Sequence, residues 1–185
     1  LRVAAMGRPY GASRAIVKVV RPRKLDDLVK AHAAPEARDD HGLAFVVPRT
    51  LLVDAEHGAL VMEEAPGTTL HALGGKSDLT RHYAAAGRAL RALHANWPAT
   101  GVRRTPDGEL DQLRVWTATT ARLFPTTAAE FARRLQAVAA ARSAADLPDG
   151  AHTAVHRDFY DKQVMIADGR VTLLDLDEAA TGDPA

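Results

Sequence analysis

The stretch from residue 153 to residue 177 constrains this chain more than any other. Two short apolar segments, Thr153–His156 and Gln163–Ala167, flank a loop, Arg157–Lys162, that holds an arginine, a lysine and two aspartates. Asp168-Gly169 then turns tightly into Arg170–Leu176. Asp-Gly favours a two-residue β-hairpin turn because both positions tolerate positive φ. A hairpin brings the ends of neighbouring strands together. Asp158 in the loop, Gln163 five positions on and Asp175 at the end of the next strand can therefore converge on one spot. Their oxygens are the hard ligands that magnesium takes, usually one or two carboxylates completed by water and phosphate. A carboxylate beside a hydroxyl can also accept its proton while the oxygen attacks phosphorus.

The first 65 residues or so read as a small antiparallel sheet with one helix. Leu1–Met6 and Arg14–Val20 are strand segments joined by the turn-rich Gly7–Ser13. Leu25, Leu28, Val29 and His32 lie at helical spacing within Lys24–Arg38, which Pro35 is expected to interrupt. Ala44–Val47 with Leu51–Val53, and then Ala59–Glu63, read as further strands, with Asp54–Gly58 as a hairpin turn. After Pro66-Gly67 the period changes. Ser77-Asp78 caps a helix running to Trp97, whose Tyr83, Ala86, Leu90, Leu93 and Trp97 form one face. Leu110–Phe124 and Ala128–Ala141 are two more helices, the latter with Ala128, Phe131, Leu135 and Val138 in register. Trp97 and Trp116 are expected in the core or between lobes.

Composition narrows the classes. A formal net charge of +1 gives no reason to expect a nucleic-acid or anionic membrane partner. No apolar run approaches membrane-spanning length, and with no cysteine there are neither disulfides nor thiolate metal sites. The default location is the cytoplasm. Oligomeric state is not legible. Gly74-Gly75-Lys76-Ser77 imitates the end of a phosphate loop, but Leu70 stands where that motif needs glycine, so it reads as a loop and helix cap. His152 and His156 lack a third ligand for zinc.

His156-Arg157-Asp158, Gln163 and then Leu174-Asp175-Leu176-Asp177, with Gly182-Asp183-Pro184 behind, resemble the catalytic and metal loops of protein-kinase-like folds, and most closely those of the aminoglycoside phosphotransferase and choline kinase-like family. The resemblance implies an α+β, two-lobe fold. A nucleotide-binding lobe would cover residues 1–66 and a catalytic lobe residues 67–185. It further implies an ATP- and Mg²⁺-dependent transfer of a phosphoryl group to a hydroxyl of a small molecule. Asp158 resembles the catalytic base and His156 the structural histidine of its loop. Gln163 and Asp175 resemble the metal ligands. Lys18, in Ala15-Ile16-Val17-Lys18, resembles the phosphate-binding lysine, and Glu36 the helix glutamate that holds it. Backbone near Glu64 and Ala65, after Leu60-Val61-Met62-Glu63, resembles the adenine-binding hinge. Asp177 resembles a further acidic residue of this branch with no firm role.

Two departures stand out. Gln163 replaces the usual Asn, lengthening the amide by one methylene, and Arg157 replaces the usual Gly. The resemblance also places a glycine-rich loop before Leu1 and acceptor-lining helices after residue 185, so the fold is expected to be incomplete at both ends, with apolar faces uncovered and a tendency to aggregate. A catalytically impaired nucleotide-binding or regulatory module is the alternative reading. A protein kinase is disfavoured because Leu176-Asp177 follows Asp175 where Phe-Gly would stand. The acceptor stays open among sugar, aminoglycoside, choline-like amine and amino alcohol. Asp161, Asp177 and Glu178 are acidic groups that would attract an amine, with Arg157 and Lys162 beside them.

Overall fold

Ala15-Ile16-Val17-Lys18-Val19 is rich in β-branched residues, which suit a pleated, half-buried surface. In a computed structural model, which describes residues 2–3, 14–36, 44–74, 79–97, 103–145 and 153–183, this segment is strand β2 (Ala15–Val19). On one side β1 (Arg2–Val3) pairs with it, Arg2 opposite Ile16. On the other lies β4 (Ala59–Glu63), with Lys18 opposite Leu60. β3 (Thr50–Asp54) completes an antiparallel sheet in the order β1-β2-β4-β3. The expected turn between β3 and β4 is present. The His57 amide donates to Asp54 Oδ1 at 3.0 Å, and Gly58 takes φ 65°.

Helix α1 (Pro22–Glu36) packs Leu25 and Leu28 on Leu60 and Met62, with Ile16, Val20 and Val29 at the margin. It carries Pro35 in its last turn and stops one residue later, which confines the loss of that N–H bond to the helix end. The expected strand at Ala44–Val47 is not part of this sheet. Only Val46 forms a bridge, and its partner is the far end of the sequence. Its amide donates to the Val171 carbonyl at 2.9 Å, and its carbonyl accepts from Leu173 at 2.9 Å. Phe45, 1% exposed, packs on Trp97 with ring centroids 5.5 Å apart. Burying that phenyl ring in the second core outweighs pairing with nearby strands.

That second core is larger. Helix α2 (Leu79–Asn96) contributes Ala86, Ala89 and Leu93, which with Leu70 and Trp97 meet Val164, Val171, Leu173 and Leu176. Tyr83, expected on this face, is half exposed. β5 (Thr68–Thr69) pairs with β7 (Val164–Ala167), and β7 with β8 (Arg170–Leu173), Val164 opposite Leu173. Asp168 and Gly169 turn the hairpin at φ 47° and 76°. β6 (Thr153–Val155) pairs with β9 (Ala180–Gly182) and not with the hairpin.

Helices α3 (Pro106–Leu123) and α4 (Ala128–Ala144) stand beside this core and pack on each other. α3 starts four residues earlier than expected. Thr105 caps it by accepting from the Gly108 amide, and Pro106 occupies its first turn. Trp116 is not in the core: it is 58% exposed, and Leu123, Phe124, Phe131 and Val138 are exposed with it. Among the described residues no helix is long and apolar enough to cross a membrane.

Candidate functional site

Lys18 lies mid-strand in β2 and is half-buried, so its ammonium needs an anionic partner. It has two. Nζ lies 2.5 Å from Asp175 Oδ1 and 2.5 Å from Asp177 Oδ1. Asp175 follows β8 in the left-handed conformation, φ 59° and ψ 58°, which turns the chain sharply into the short helical turn Leu176–Glu178. Leu176, fully buried, anchors that turn. Both carboxylates thus face the strand that carries Lys18, some 157 positions away in sequence.

Charge balance in this triad is internal. Burial works against the Lys18 ammonium, but its bonds to Asp175 and Asp177 outweigh that and raise its pKa above the ordinary 10.5. Burial also works against ionised Asp177, yet the nearby His32 ring and the Lys18 ammonium hold its carboxyl well below the usual range. His32 comes from α1 and is 1% exposed. Its Nε2 lies 3.9 Å from Asp177 Oδ1, beyond hydrogen-bond length.

The polar loop is fixed from below. His156, fully buried, donates from Nε2 to the Leu174 carbonyl at 2.8 Å and meets Phe159 edge-on at 5.7 Å. Burial lowers its pKa, so the neutral ring is favoured. Arg157 takes φ 67°, and its guanidinium reaches Glu109 of α3 at 2.7 and 3.0 Å and Glu178 at 3.4 Å. Gln163 ends the short helical turn Asp161–Gln163, and its carbonyl accepts from the Leu174 amide at 2.9 Å. That backbone bond sets Gln163 beside Asp175. The Gln163 amide nitrogen lies 3.1 Å from Asp175 Oδ2 and 3.5 Å from both Asp158 Oδ2 and Tyr160 Oη.

Lys18, Asp158, Gln163 and Asp175 are thus brought together, with His156 buried beneath the loop. Asp177, for which the resemblance implies no firm role, joins them as the second partner of Lys18. Glu64 and Ala65 lie just beyond β4, where the Glu64 amide donates to the Arg14 carbonyl at 3.5 Å and the Glu64 carboxylate lies 3.7 Å from the Arg14 guanidinium. Glu36 is the last residue of α1; its side chain lies outside the described residues. The acidic groups expected to attract an amine are already engaged by cations or imidazoles of the chain. Asp161 holds His71 at 2.8 Å, Asp177 holds Lys18, and Glu178 faces Arg157 and Lys24.

Among the described residues no group of three or more His, Asp or Glu side chains is arranged to hold a metal. The available donors are a carboxylate, Asp175, and an amide, Gln163, with Asp158 at the edge. Few protein ligands of oxygen type, open to water and phosphate on the other side, are what Mg²⁺ takes. The donor set therefore fits that ion, provided Gln163 turns its oxygen where the nitrogen now faces Asp175.

The fold has close counterparts. APH(2")-IIa in its streptomycin–ATP ternary complex superposes with a TM-score of 0.66 at 13% identity, over 92% of this chain and 61% of that one. A thermostable mutant of aminoglycoside phosphotransferase APH(4)-Ia gives 0.68 at 21%, over 92% and 61%. A choline/ethanolamine kinase family protein from Mesorhizobium loti gives 0.64 at 20%, over 92% and 54%. The chain is thus similar to about 60% or less of each of these proteins, and shares with them a protein-kinase-like fold. No curated protein matches it. The model of the phosphotransferase enzyme family (APH) matches residues 7–185, nearly the whole sequence, and the chain belongs to that family.

Proposed function

We propose that this chain carries the nucleotide-binding and catalytic parts of an ATP-dependent phosphotransferase, divided near Pro66-Gly67, which moves the γ-phosphoryl group to a hydroxyl of a small molecule. The observation that supports it most is the gathering of Lys18, Asp175, Gln163 and Asp158 from opposite ends of the sequence. Lys18 holds the phosphates of ATP, and Asp175 and Gln163 hold Mg²⁺. When bound, Mg²⁺ would supply positive charge against that of the phosphates. Asp158, exposed and set apart from the ammonium, accepts the proton of the acceptor hydroxyl. His156 fixes the loop through Leu174. Backbone at Glu64 and Ala65 takes the adenine edge. The names of the structural neighbours support an aminoglycoside or an amino alcohol as acceptor, with a sugar as a further candidate from the motif resemblance, and the need for ATP supports a cytoplasmic location.

The test is Asp158→Ala in the full-length gene product, with ADP release measured over a panel of such acceptors. Loss of a general base lowers turnover by about 10²–10⁴, so the variant is expected to bind nucleotide and to turn over at that fraction of the wild-type rate. Equal turnover refutes the assignment. One observation favours the second reading, a nucleotide-binding module without catalysis: Gln163 carries its amide on a stem one methylene longer than the usual Asn. Magnesium-dependent ATP binding with no transfer to any acceptor is the result that would select it.

A further inference from the structure

Lys18 is held by two carboxylates, and under the proposed function one of them has another task. When Asp175 turns to the metal, its hold on the ammonium weakens. Asp177 is the carboxylate that stays. We propose that Asp177 is the positioning residue of Lys18, and that His32 of α1 in turn fixes Asp177, so that the helix, the short turn after β8 and the phosphate-binding ammonium move as one unit. The inference rests on the reading of Lys18 as a phosphate ligand.

Three observations carry it. Asp177 Oδ1 lies 2.5 Å from Lys18 Nζ, as close as the Asp175 contact, so the ammonium is shared equally between them. The same oxygen lies 3.9 Å from His32 Nε2. His32 is 1% exposed, and neither ring nitrogen has a hydrogen-bond partner. A buried polar ring without partners is costly. Leucine at that position would continue the apolar face of Leu25 and Leu28 without that cost. The only acidic oxygen that the ring approaches among the described residues is that of Asp177. A shift of less than 1 Å makes it a hydrogen bond. Helix α1 also packs against the turn that carries Asp177. The ring is therefore placed to hold the carboxylate from behind while the carboxylate holds the ammonium.

The test is a double-mutant cycle on the full-length protein, read as the dissociation constant of MgADP and as the separate KM values for ATP and acceptor. Asp177→Asn is expected to weaken MgADP binding and raise the ATP KM roughly tenfold, within the coupling range of residues in contact, while the acceptor KM stays unchanged. In a Lys18→Met background the same substitution should change MgADP binding less than about twofold. His32→Leu should follow the same pattern with a smaller loss, and it keeps the test open if Asp177→Asn fails to fold. Equal losses with and without Lys18 would reduce Asp177 to a structural role and overturn the inference. Weakened MgADP binding in Lys18→Met with none in Asp177→Asn or His32→Leu would overturn it too. Unchanged MgADP binding in Lys18→Met would instead overturn the phosphate-ligand reading beneath it.

Discussion

Arg157 holds a backbone conformation that glycine adopts freely and other L-residues do not. Its φ of 67° costs about 1–2 kcal/mol for a residue with a Cβ, and its guanidinium offsets part of this through Glu109 and Glu178. The two contributions separate by mutation. Arg157→Gly removes strain and ion pair together, whereas Arg157→Ala removes only the ion pair. The alanine variant is therefore expected to be less stable than the glycine variant by about 1 kcal/mol in urea denaturation. Equal midpoints would mean that the backbone relaxes there. At this scale the loop was legible: Asp158, Gln163 and Asp175 were recognisable from spacing because a hairpin forces nearby residues together. Asp177 as a partner of Lys18 was not, because nothing local in the sequence states which of two aspartates faces a strand formed some 157 residues earlier.

Among the elements, the segment leading into β5 is the tightest. Gly67 takes φ 102°, and a Cβ there would lie 2.2 Å from the Ile166 carbonyl oxygen in β7. That oxygen belongs to a backbone already paired with Thr68, so it has little room to yield. Gly67→Ala is expected to lower stability by at least about 2 kcal/mol, seen as a lower urea midpoint, and to loosen the β5–β7 pairing. An unchanged midpoint would show that this crossing is pliable. Helices α2 and α4, the β3–β4 hairpin and the β7–β8 hairpin follow from local period and turn chemistry, and the sequence shows them. The pairings that escaped are those between distant short segments: β5 with β7, β6 with β9, and Val46 with β8. Two or three residues carry no readable period. The start of α3 did carry a signal, Thr105-Pro106, a cap followed by a first-turn proline. For Trp116 the helical spacing was right but the face meets no core.

For the whole molecule, stability depends on neutral histidines. Burial lowers the pKa of His156 and that of the part-buried His94 below the ordinary 6.5. The unfolded chain thus binds more protons than the folded one once the pH falls below that value. Stability is full above about pH 6.5 and declines as the pH falls toward the folded pKa values, by at most about 1.4 kcal/mol per unit for each group. Asp177 adds a separate loss in more acid solution, below its ordinary 3.8. Lys18 has the opposite sign, its raised pKa withdrawing support only above about pH 10.5. The melting temperature is expected to drop between pH 7 and pH 5, and His156→Gln should flatten that slope. A wild-type melting temperature constant across this window would refute the assignment.

The pairing of β6 with β9 has one more consequence. Val155 lies opposite Ala180 and Thr153 opposite Gly182, so the two strands knot the chain at the mouth of a long noose. Inside it hang Asp158, Gln163, Asp175 and Asp177. The entropy of closing that noose is lost once, at its mouth. A fault at the knot, even one far from any phosphate, slackens all four acidic and amide groups at the same moment.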